Sequence, residues 1–193
     1  MIAGHFAFAA AVKAKEPKIP LWSLMFSTQW LDIVFVPLFL TGIEGMESAP
    51  PDASHAAPLI HADYTHSLLG ALVLSAVLGW FAAKLWGQRA GIILGAVSMS
   101  HWVIDLIVHR PDMPILPGNI GDLPLLGLGL WTFPAGAIVL EAAIVIAGFG
   151  YYWREAAAVS SSAGRSVNYA HFVGALALAA GLLVLTLDKL FPA

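Results

Sequence analysis

The sequence predicts an all-α integral membrane protein, a helical bundle of about five transmembrane helices plus a short N-terminal partial or re-entrant helix, in one domain over 1–193. Three observations predict it. Of the 193 residues, 59% are hydrophobic and only 11% charged, against about 25% charged in an ordinary soluble domain. Five apolar stretches are about 20 residues long, the length needed to cross a hydrocarbon core of about 30 Å. The basic residues also collect in alternate loops, as orientation in a membrane requires.

Taken in order, the piece 2–12 is apolar but too short to cross alone, and Lys13, Lys15 and Lys18 follow it. Bases behind rather than ahead of an apolar start argue against a cleaved signal peptide. Pro17 and Pro20 separate this piece from the first span, 20–43, because proline breaks helices. The further spans are 64–86, 90–109, 127–153 and 167–188. Between them lie a polar, proline-containing loop at 44–63, a second at 110–126, and a serine-bearing connector at 155–166. Gly174, Ala175, Ala177, Ala179, Ala180 and Gly181 in the last span suit close helix packing. The tryptophans suit interface anchoring.

Seven of the nine lysines and arginines fall before the first span, between the second and third, and between the fourth and fifth. The opposite loops hold one base, Arg110, among Glu44, Glu47, Asp52, Asp63, Asp112 and Asp122. By the positive-inside rule, 44–63, 110–126 and the C-terminus face away from the cytoplasm. Scattered bases and a net charge of −3 offer nothing to nucleic acid. The absence of cysteine excludes disulfides, iron–sulfur clusters, thiolate zinc sites and thiol nucleophiles.

Against this apolar background, Asp32, His101 and Asp105 lie within spans, and His66 lies at the mouth of one. Ionisable groups at membrane depth are costly and mark function by default. At 1.5 Å per residue, Asp32 sits roughly 18 Å, His101 about 16 Å and Asp105 about 22 Å above the cytoplasmic side. His66 enters within about one turn of the outer surface. Ser98, His101, Asp105 and His109 form one stripe of the third span, while Thr28, Gln29 and Asp32 share a face of the first. His101 and Asp105, four residues apart, can reach one ion, as the two histidines of HExxH do. Aspartate and histidine are ligands for a divalent metal, zinc first, with manganese or iron as alternatives.

Plainer readings stand beside these. His101 and Asp105 as a buried pair would merely lock helices together. Thr65 would serve as an ordinary N-cap for the second span. His5 would be a surface residue. His61 and His109, near the outer interface, are candidates for proton transfer, as imidazoles titrate near neutrality. His55 and His171 are expected outside the site. Glu141, mid-span in the fourth helix, reads equally as ligand, helix contact or proton path.

His5, Asp32, the run His61-Ala62-Asp63-Tyr64-Thr65-His66-Ser67 and the run Ser100-His101-Trp102-Val103-Ile104-Asp105 carry a resemblance. They resemble the signature of the bacterial membrane-bound, predicted metal-dependent hydrolases: an N-terminal His, an acid in the next helix, H-x3-T-H-S and S-H-x3-D. The match covers about the first 110 residues. Ala62 and the single acid at Asp32 replace the family's usual arginine and paired acids. The resemblance implies a metal held by His5, Asp32, His66, His101 and Asp105, in the outer half of a bacterial inner membrane. An ester or phosphoester of a lipid or lipid-linked molecule would be the substrate. A proton- or ion-coupled permease, and a haem-binding or accessory subunit with His66 and His109 as axial ligands, are the alternatives. Membrane lipids are the expected partners, and an oligomer or larger membrane complex is compatible with the chain.

Overall fold

The computed structural model describes residues 1–47, 59–163 and 167–190. His55, Asp52 and Arg165 therefore lie outside the described residues. The fold is all-α, of the membrane helical-bundle class, with seven α-helices among the described residues: α1 (Ile2–Lys15), α2 (Leu21–Thr28), α3 (Trp30–Leu40), α4 (Leu68–Trp86), α5 (Gln88–Val108), α6 (Pro134–Ser162) and α7 (Val167–Leu190). The short strands β1 (Gly45–Glu47) and β2 (Leu59–His61) pair antiparallel, Gly45 opposite His61.

Four helices, α4 to α7, are long and apolar enough to cross a membrane, and α2 with α3 makes a fifth span if counted together. This fits a multi-pass membrane protein. Large apolar side chains such as Leu85, Ile92, Val139 and Leu183 remain exposed on these helices, a surface suited to lipid and costly in water. α1, 14 residues long, reaches only about 21 Å, so its reading as a partial helix holds.

Several boundaries depart from the sequence reading. The first span is broken: α2 and α3 meet at Gln29 with a bend of 48°, although Pro37 lies further on, inside α3. The second span begins at Leu68 rather than 64, and its N-cap is Ser67, whose Oγ accepts from Gly70 N; Thr65 has other work. The fourth span starts at Pro134, not 127. Residues 127–133 run irregularly back over the end of α5, with Leu128 N donating to Leu106 O and Gly129 N to His109 O. Gly127 permits this: its φ is +143°, and a Cβ there would lie 1.9 Å from Arg110 O. At its other end α6 runs on to Ser162, because no proline or glycine interrupts 151–162 and alanine favours helix.

The chain forms two compact units. The first comprises Met1–Met25 and the described residues from Ile138 onward. Here Ala3, Ala7 and Ala10 of α1 pack with Val145 and Phe149 of α6 and Leu185 of α7.

The second unit, Phe26–Ala137, holds α3, the hairpin, α4, α5 and the loops up to the start of α6. Leu31, Ala71, Trp102 and Met113 form its buried core. α4 and α5 are an antiparallel pair joined at Gly87, whose φ of +87° suits glycine. Their backbones touch: a Cβ on Gly91 would meet Gly79 O at 2.5 Å, and one on Gly95 would meet Ser75 O at 3.1 Å. Small residues allow that approach in a membrane, and it sets the height of α5 against α4.

A candidate metal centre

The polar residues of the second unit converge from three segments. Asp32 stands in the first turn of α3. His66 immediately precedes the N-cap of α4, and its carbonyl accepts from Trp102 Nε1 at 2.7 Å. His101 and Asp105 lie four residues apart on α5, and His109 caps its C-terminus.

The ligand-bearing atoms form a nearly regular triangle. His66 Nε2 and His101 Nε2 are 3.4 Å apart. Asp32 Oδ1 is 3.5 Å from the first and 3.4 Å from the second. A tetrahedral ion with bonds of about 2.0–2.1 Å needs ligand atoms about 3.3–3.4 Å apart, so the triangle has the size of one tetrahedral face. Asp105 Oδ2 stands beside it, 3.0 Å from His101 Nε2 and 3.9 Å from His66 Nε2. Asp32, His66 and His101 form a group able to hold a metal ion.

The far nitrogens of the rings are tethered. His101 Nδ1 is 2.7 Å from the carbonyl of Thr28, an acceptor only, so a ring proton sits on Nδ1 and Nε2 faces the cluster. Thr28 ends α2, and the last carbonyls of a helix lack intrahelical partners, which puts the break at Gln29 to use. His109 Nδ1 lies 3.0 Å from Asp112 Oδ1, turning Nε2 toward Asp105 Oδ2 at 3.9 Å. His66 Nδ1 lies 2.9 Å from Thr65 Oγ1. Such outer partners are the usual companions of metal-binding histidines.

His101 is almost fully buried, and the His66, Asp105 and His109 side chains are nearly so, whereas the Asp32 side chain keeps 43% exposure. Asp32 is thus the open edge. Phe35 meets the His66 ring edge-on at 6.1 Å, and Trp131 lies over His109 at 4.6 Å. Asp105 Oδ2 lies 3.9 Å from both His66 Nε2 and His109 Nε2, so a porphyrin between those two rings would meet this carboxylate.

Of the residues singled out from sequence, the second unit brings Asp32, His66, His101, Asp105 and His109 together. His61 lies on the hairpin, half exposed, with Nε2 3.3 Å from Glu47 Oε1. His5 is a buried residue of α1 in the first unit. Sequence reasoning missed Glu44, Asp112, Trp102 and Trp131 as parts of this site. Glu44 and Asp112 read as loop acids, yet both are buried. Asp112 alone had a local signal, its spacing of three from His109.

No protein-family model, curated protein or solved structure matches the chain. Fold and site together define a multi-pass helical membrane protein with an internal histidine–aspartate cluster able to hold a metal ion.

Proposed function

We propose that this chain is a membrane-embedded, metal-dependent hydrolase of a bacterial inner membrane. The observation that carries the reading is the triangle of His66 Nε2, His101 Nε2 and Asp32 Oδ1, with edges of 3.4 to 3.5 Å. Two histidines and one carboxylate leave a coordination position free, as catalytic rather than structural sites do. Zinc fits the donor set best, and the same set also suits iron or manganese.

A bound ion would supply Lewis acidity, polarising a scissile carbonyl or phosphoryl group and acidifying a water molecule. The chain's own residues supply the rest. Asp32, His66 and His101 hold the ion, with Asp105 as a further carboxylate ligand. His109, fixed by Asp112 and facing Asp105, is placed for proton transfer. The resemblance to membrane-bound predicted metal-dependent hydrolases supports the same reading. The distribution of basic residues supports a site in the outer half of the bilayer, which suits an ester or phosphoester of a lipid or lipid-linked molecule.

Metal analysis of the purified protein tests this. Stoichiometric zinc, manganese or iron is expected in the unmutated chain and is lost from Asp32→Ala and Asp105→Ala. Stoichiometric metal that survives both substitutions would overturn the ligand assignment.

A further inference from the structure

Glu44 was read as an outward-facing loop acid, but it is 3% exposed. Its Oε1 accepts from Tyr64 N at 2.9 Å and Thr65 N at 2.8 Å. Thr65 Oγ1 lies 3.0 Å from each carboxylate oxygen and 2.9 Å from His66 Nδ1. A hydroxyl has one proton to give. With an acceptor carboxylate on one side, that proton goes to Glu44, and the remaining lone pair of Oγ1 receives the proton on His66 Nδ1.

We infer that Glu44, acting through Thr65, is a positioning residue that holds His66 in the one tautomer whose Nε2 lone pair faces Asp32 and His101. The inference rests on the metal-site reading above. Two independent features support it. Glu44 also clamps the backbone of Tyr64 and Thr65, so one carboxylate sets both the ring's tautomer and the path of the chain that carries it. The other two histidines of the cluster are tethered through Nδ1 as well, His101 by Thr28 O and His109 by Asp112, so all three rings present Nε2. Without the relay, His66 would be free to place a proton on Nε2, which cannot then coordinate.

The test is Zn²⁺ titration of the purified full-length protein beside Thr65→Val, Thr65→Ser and Glu44→Ala, with helix content followed by circular dichroism. Thr65→Val and Glu44→Ala are expected to bind about 10- to 100-fold more weakly, the usual effect of losing an outer partner of a metal ligand. Thr65→Ser, which keeps the hydroxyl, is expected to bind like the unmutated protein. Unchanged affinity in Thr65→Val would overturn the inference, as would Thr65→Ser binding as weakly as Thr65→Val. If Glu44→Ala does not fold, the near-isosteric Thr65→Val carries the test. Failure of the unmutated protein to bind metal would instead sink the metal-site reading, and this inference with it.

Discussion

The two compact units bury carboxylates in different ways. In the first, Glu141 on α6 is 1% exposed and accepts from the backbone N–H of Gly4 at 3.3 Å. In the second, Asp105 is also buried, but His101, His66 and His109 all direct a ring nitrogen at it within 3.9 Å. A buried carboxylate does not by itself make a site. What separates the units is convergence: α3, the approach to α4, and α5 each deliver a donor to one place, and each imidazole is tethered on its far side.

The largest expected effect sharpens that contrast. His101→Ala removes a corner of the triangle, and Zn²⁺ affinity should fall by more than about 100-fold, beyond what loss of an outer partner causes. Isothermal titration of the detergent-solubilised protein reads it. A weakening no greater than that of Thr65→Val would mean that His101 is not a ligand.

Next come two glycines, one in each unit. A Cβ on Gly70 would lie 1.8 Å from Tyr64 O, and one on Gly148 would lie 2.3 Å from Ala7 O. Gly70→Ala and Gly148→Ala should each destabilise the protein by about 1–3 kcal/mol, the range for forced overpacking. Only Gly70→Ala, which disturbs the turn bearing His66, should also weaken metal binding. Thermal unfolding and metal titration on the same samples separate the two, and equal loss of metal binding in both would erase the contrast between the units.

The smallest effect is expected at Glu141→Gln, where the carboxamide oxygen can still accept from Gly4 N–H. Stability should change by about 1 kcal/mol or less with metal stoichiometry unaltered. Loss of metal in this variant would bring Glu141 into the site and break the comparison.

Much of the fold and the heart of the site were legible in the sequence, for one physical reason. Apolar runs of spanning length show plainly by composition, and Asp32, His101 and Asp105 stand out because such groups are costly at that depth. The break at Gln29 did not show, since the apolar run continues across it and the visible proline, Pro37, sits within helix. Nor did the irregular 127–133, whose leucines read as membrane although its glycines turn the chain back. Glu44 was hidden for another reason: a loop acid and a buried acid look alike until the chain folds over one of them, and its contact with Thr65 spans 21 residues.

The glycine seam between α4 and α5 bears on how such a cluster stays in register. At Gly79 and Gly95 main chain lies directly on main chain, and at Gly91 it meets backbone and the Ala83 methyl, with no long side chain between to flex or repack. Whatever separates the two helices there is passed up rigid backbone to His66 at the head of one and His101 on the other. The seam works as a fixed gauge, and widening it by a single methyl group would alter the spacing between two imidazoles without touching either.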